Sequence, residues 1–138
     1  MKLFLGGTCN ESTWRDELIP LLDIDYFNPV VEDWTPECQK EELKQRQECD
    51  FVLYMITPKM TGVYSIAELV DDSNKRPEKT LFCYLKTDGN EMFTEGQIRS
   101  LDAVKDMIVS NGSAYFDSLK DLAYYLNKQN ELYNKGEK

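Results

Sequence analysis

Histidine is absent from this chain of 138 residues. Without an imidazole, Ser-His-Asp and Cys-His triads, a histidine general base and every histidine-containing zinc site are excluded before any motif is read. If the protein is an enzyme, carboxylates and hydroxyls carry its chemistry. Cysteine is sparse: Cys9, Cys38, Cys49 and Cys83 are scattered without a CxxC pair, and Cys83 lies in an apolar, strand-like run. This pattern reads as reduced thiols in or near the core, not as a disulfide frame or metal cage, so no metal and no redox cofactor are expected. No stretch approaches the roughly 18 apolar residues of a membrane span, and the apolar run at Met1–Gly7 is too short for a signal peptide. The expectation is a soluble, cytoplasmic protein that does not engage membranes. Positive charge is also in deficit: 16 Lys and Arg stand against 25 Asp and Glu, a formal charge of −9. Such a chain repels phosphate backbones, and no segment groups basic residues with aromatics, so a nucleic-acid polymer is not an expected partner.

What is present fits one ordinary domain. The length, with 41% hydrophobic and 12% aromatic residues, supports a real core and argues against disorder. The expected domain spans residues 1–132, with a frayed tail over 133–138. There are no internal repeats or low-complexity blocks.

Strand-like and helix-like segments alternate throughout. Lys2–Leu5 reads as a strand, followed by a Gly6-Gly7-Thr8 turn and a helix from about Thr13, in which Trp14, Leu18, Leu21 and Leu22 share a face. Thr13 and Asp16 resemble a capping pair, and Pro20 implies a short or kinked helix. Ile24–Phe27 reads as a second strand. A largely charged helix follows from Pro36 to Glu48, suited to weak sheet coverage or to the border of a cleft. Phe51–Ile56 is the most central-looking strand, because a parallel strand buried on both faces is continuously apolar. The next helix is expected over Ser65–Asp72, ended by Asp71-Asp72-Ser73-Asn74, and the fourth strand over Thr80–Leu85. A turn at Asp88-Gly89-Asn90 precedes a helix carrying Ile98, Leu101, Val104 and Ile108 and ending at Asn111-Gly112. Ala114–Phe116 is the fifth strand, and Ser118 to about Leu132 the last helix. The fold class is therefore α/β: a three-layer, flavodoxin-like, doubly wound parallel sheet of strand order 2-1-3-4-5.

In such sheets the ligand site lies at the carboxyl edge where strands one and three diverge. That brings Gly6, Gly7 and Thr8 beside the loop leading to Glu68. Two glycines let a backbone approach a ligand, although the same pair also serves as a plain tight turn. Asn10, Ser12 and Trp14 offer polar and stacking contacts, Trp14 being equally suited to the core. Glu68 is either a candidate active-site carboxylate or an acid placed favourably near a helix N-terminus. Glu42 and Asp50 are the nearest second carboxylates, and displacement at an anomeric carbon calls for a nucleophile and often an acid. Asp50 equally suits a loop at the opposite end of the sheet. Tyr64 and Ser65 offer hydroxyls to a sugar or a 5'-phosphate, Ser65 being alternatively an N-cap. The loop from Lys59 to Gly62 offers amides and a cation. Arg15 suits either a phosphate or a solvated helix face.

Three blocks carry a resemblance: Phe4-Leu5-Gly6-Gly7-Thr8, Cys49-Asp50-Phe51-Val52-Leu53-Tyr54, and Gly62-Val63-Tyr64-Ser65-Ile66-Ala67-Glu68-Leu69. Over about residues 1–85 the chain resembles the nucleoside 2-deoxyribosyltransferase-like family, which includes deoxynucleoside 5'-monophosphate N-glycosidases. The resemblance implies attack of the Glu68 carboxylate on a sugar C1', with Glu42 at the position of a second acid that is usually Asp. It also implies a homo-oligomer whose sites a neighbouring chain often completes. The aspartate that binds the sugar hydroxyl in the transferases falls near Gly62 here and is missing. The expected activity is cleavage or transfer of an N-glycosidic bond in a nucleoside, nucleotide or related ribosyl compound. The alternatives are a non-catalytic nucleotide-binding or sequestering module on the same fold, and an activity resembling that of NAD glycohydrolases.

Overall fold

The apolar runs read from the sequence assemble into one parallel sheet in a computed structural model that describes residues 1–9 and 11–136. In chain order the elements are β1 (Lys2–Gly7), α1 (Trp14–Leu18), β2 (Asp25–Phe27), α2 (Pro36–Glu48), β3 (Phe51–Ile56), α3 (Tyr64–Lys75), β4 (Thr80–Tyr84), β5 (Thr87–Asp88), β6 (Glu91–Met92), α4 (Glu95–Ser110), β7 (Ala114–Phe116) and α5 (Leu119–Asn134). The main sheet runs β2-β1-β3-β4-β7. All four pairings are parallel, and Leu3 opposite Phe51 through Gly7 opposite Met55 sets β1 against β3 at the centre. This is the expected flavodoxin-like order, β7 being the fifth strand of the sheet.

Every residue of β3 is buried, and successive side chains serve opposite cores because a strand alternates faces. Leu3, Leu5, Leu53, Met55 and Leu81 pack with Trp14, Leu18, Leu122 and Leu126 from α1 and α5. Phe4, Val52, Tyr54, Ile56 and Phe82 pack with Leu69, Leu101 and Ile108 from α3 and α4. The sheet is thus sandwiched between helical layers. Helix α2 stands apart, since Gln45 and Arg46 are its only buried residues among those described. It contributes little to either core and borders the cleft.

Several boundaries differ from the sequence reading, each for a local reason. Pro20 ends α1 early in a 3₁₀ turn over Ile19–Leu21, and the side chain of Thr13 makes no capping bond. Ser12 Oγ instead accepts from the Trp14 amide at 3.4 Å. Helix α3 starts at Tyr64 with Val63 at the N-cap, so Ser65 is not the cap. It also passes through the polar cluster at 71–74 to reach Lys75. Ser73 Oγ and Asn74 Nδ2 both donate back to the Val70 carbonyl, at 2.8 and 3.0 Å, which satisfies the cluster inside the helix. The turn at Asp88-Gly89-Asn90 closes the β5–β6 hairpin, with Gly89 at a φ of +61°. The last helix continues through Tyr133 and Asn134.

Candidate active site

The floor of the site is the end of β1. A Cβ on Gly6 would lie 2.8 Å from the Leu53 carbonyl oxygen, and one on Gly7, whose φ is +114°, only 2.0 Å from that of Met55. The close approach that demands these glycines is that of β3, a neighbouring strand. Thr8 then ties the two loops together. Its amide donates to Met55 O at 2.8 Å, and its Oγ1 accepts from the Thr57 amide at 3.0 Å. Trp14 is buried, with Nε1 donating to Thr8 O at 2.6 Å. Arg15 is buried rather than solvated. Its Nη1 donates to Thr8 O at 2.7 Å, and its Nε and Nη2 donate to Leu5 O at 3.2 and 2.8 Å. Burial pushes its pKa down to about 10. Asn10 lies outside the described residues.

Above this floor opens a cavity of about 440 Å³, lined among others by Gly6, Gly7, Arg15, Glu42, Ser65 and Glu68. Pro29, Val30, Val31 and Trp34 form an apolar wall. The Trp34 indole is 61% exposed. Thr8, Gly62 and Tyr64 line an adjoining recess of about 240 Å³, which shares Gly7 and Ser65 with the main cavity. A second recess of about 200 Å³, on the α2 side, shares Trp34, Glu42 and Glu68. A groove of about 460 Å³ beside α5 is as large, but it is lined by solvated Asn, Lys and Glu side chains with Asp23 and Tyr124. Asp50 sits at the far end of the sheet, where Oδ2 accepts from the Lys2 amide at 2.8 Å.

Glu68 is the fifth residue of α3, one turn beyond the helix N-terminus, with its side chain 21% exposed. Arg46 of α2 reaches across and places Nη1 2.9 Å from Glu68 Oε2. The same guanidinium places Nη2 3.1 Å from Asp72 Oδ1, and Asp72 is fully buried. Asp72 also accepts from Tyr54 Oη and Arg76 Nη2, each at 2.5 Å. Burial and the bond to Asp72 push the Tyr54 phenol far above its ordinary value, so Tyr54 is a donor at any physiological pH. Burial also raises Glu68, against the opposing pull of Arg46, and Glu42 and Asp72 raise it further. Glu42 is raised by burial as well, with Arg46 and Arg15 opposing. The arrangement is two carboxylates of elevated pKa on one cavity, one of them held at a single oxygen by the Arg46 guanidinium. Such a pair can divide nucleophile and acid roles.

The elevation of Glu42 has a consequence for stability. A carboxyl whose folded pKa lies above the unfolded value of about 4.5 stabilises the fold only while protonated, and that contribution is lost as pH rises through the folded pKa. Glu42→Gln should therefore melt higher than the wild type at pH 7, and the two should converge below about pH 4.5. Thermal melts at both pH values check this, with the gain kept small by the partial exposure of the group.

The model of the family described as nucleoside 2-deoxyribosyltransferase like matches residues 1–86. The chain belongs to this family. No curated protein matches it. The matched span runs from β1 through β4 and so contains both loops of the cavity, Glu42, Arg46, Glu68 and Asp72. Helices α4 and α5 and strand β7 lie beyond it and complete the two helical layers, one helix on each, and the edge of the sheet. No helix among the described residues is long and apolar enough to cross a membrane.

Arg46, Tyr54 and Asp72 were not legible as site residues. Arg46 lies in a helix that reads as largely charged, and Asp72 in a cluster that reads as a helix stop. Two signals pointed to them. Glu68 and Asp72 are spaced i, i+4 and so share a helix face, and Tyr54 in mid-strand needs a partner for its hydroxyl once buried.

Proposed function

We propose that the protein cleaves or transfers the N-glycosidic bond of a nucleoside, nucleotide or related ribosyl compound. The supporting observation is that Glu68 and Glu42 line one cavity of about 440 Å³, the size class of small-molecule sites. A Glu68 carboxylate oxygen attacks C1', the C1'–N bond breaks, and the base departs with the bonding electrons as an ester forms. The Glu42 carboxyl, kept protonated to higher pH by burial, supplies a proton to the leaving base. Water or a second base then attacks C1', gives its proton to Glu42, and releases the Glu68 carboxylate. Such chemistry needs no imidazole, since a carboxylate is both nucleophile and leaving group. The apolar wall at Val30, Val31 and Trp34 suits a flat nucleobase, and the recess at Gly62, Tyr64 and Ser65 suits the 5' end of the sugar.

The deciding measurement is a panel of deoxynucleosides, deoxynucleoside monophosphates and NAD, with released base read by chromatography. A second free base added to the same reactions separates transfer from hydrolysis. Release from at least one member is expected. Binding of a panel member without release from any would instead identify a non-catalytic nucleotide-binding module.

A further inference from the structure

Glu68 is not held by its own helix. Its contact to a positive charge comes from α2, through an arginine whose other nitrogens are committed elsewhere. Arg46 Nη1 engages Glu68 Oε2 at 2.9 Å, while Nη2 and Nε engage the two oxygens of Asp72 at 3.1 and 3.4 Å. Asp72 is in turn fixed by Tyr54 from β3 and by Arg76 at the end of α3. The guanidinium plane is therefore set by a fully buried carboxylate, and Nη1 is the nitrogen that reaches Glu68. A planar fork fixed on one side presents its remaining N–H in one direction, which a lysine cannot do.

We propose that Arg46 is a positioning residue for Glu68: anchored on buried Asp72, it fixes Oε2 and leaves Oε1 to meet the sugar carbon. This rests on the reading of Glu68 as nucleophile. The groups facing Glu68 make the assignment specific. From α2 come Arg46 and Glu42, from its own helix Asp72, from β3 Tyr54, and from the cavity floor Arg15 of α1 and the Cys9 thiol. Burial opposes ionisation of Glu68 most, Glu42 and Asp72 oppose it further, and among the described residues Arg46 favours it. Arg15 instead favours the ionised form of Glu42 and spends three of its nitrogens on backbone carbonyls.

The test reads the carboxyl group directly and catalysis separately. In protein labelled with ¹³C at the Glu carboxyl carbons, the Glu68 resonance is assigned by its loss in Glu68→Gln and titrated in wild type, Arg46→Lys and Arg46→Gln. Loss of an opposing charge at this distance shifts a carboxyl by about one to three pH units. The Glu68 midpoint should therefore rise by about one unit or more in Arg46→Gln, and by less in Arg46→Lys. The acid limb of kcat/KM for the most active panel substrate should move up by the same interval, with KM changed less than kcat. A purely structural role for Arg46 would lower the melting temperature and leave the midpoint where it was. A Glu68 midpoint in Arg46→Lys and in any folded Arg46→Gln equal to that of the wild type overturns the proposal. Failure of every panel substrate would strike the catalytic reading instead, leaving the titration to judge the ion pair.

Discussion

Glu68→Gln is expected to reduce base release by roughly 10³-fold or more, equivalent to about 4 kcal/mol of barrier, with substrate binding retained. Gln keeps the shape of Glu and can accept from Arg46 Nη1, but its amide oxygen is a poor nucleophile and forms no stable ester. The loss should therefore fall on kcat. Measured by steady-state kinetics beside a binding titration, kcat and KM should part company. Glu42→Gln should cost less, since general acid catalysis contributes about 10² to 10⁴-fold and depends on how well the base leaves unaided. The double variant should lose less than the product of the two, because both side chains serve the same bond-breaking step. Unchanged release from Glu68→Gln would remove the covalent mechanism.

The largest expected effect on stability comes from a methyl group. Gly7→Ala places a Cβ 2.0 Å from the Met55 carbonyl oxygen at a φ of +114°, within the central strand pair. The obstacle is backbone, so no rotamer change relieves it, and an L side chain is strained at that φ in any case. A loss of roughly 3 kcal/mol or more is expected, a large part of the 5–15 kcal/mol typical of a domain. Gly62 provides the contrast. Nothing lies within 4 Å of its Cβ position, so Gly62→Ala should stay within about 1 kcal/mol of the wild type. Urea midpoints for the pair check both statements. Equal midpoints would mean that β1 and β3 separate more easily than their register implies.

The fold was legible because its signals are long and redundant. Continuous apolar runs at Phe51–Ile56 and Thr80–Tyr84, each followed by a helical pattern, admit few arrangements other than a parallel sheet. The place of Glu68 on the cavity was legible because the carboxyl edge, where it lies, follows from that sheet. The glycines were found for an incomplete reason: the sequence shows that a backbone must come close at Gly6 and Gly7, but not whether the intruder is a ligand or β3. Arg15 and Arg46 were opaque for a deeper reason. Composition places arginine outside, and only tertiary structure can show that Arg15 faces carbonyls at the end of β1 and Arg46 faces Asp72. Buried charge is specified by its partner, and these partners lie 10 and 26 residues away in the chain.

Trp14 and Arg15 direct their N–H groups to the carbonyls of Leu5 and Thr8, and Thr8 in turn clasps Thr57. Loops that recognise small molecules commonly lose conformational freedom when the ligand arrives, and that loss is subtracted from affinity. Here the freedom of this stretch is already surrendered during folding, to side chains that belong to the first helix. A molecule entering the cavity meets Gly6, Gly7 and Thr8 already held in place, so contacts to these three residues carry little ordering cost.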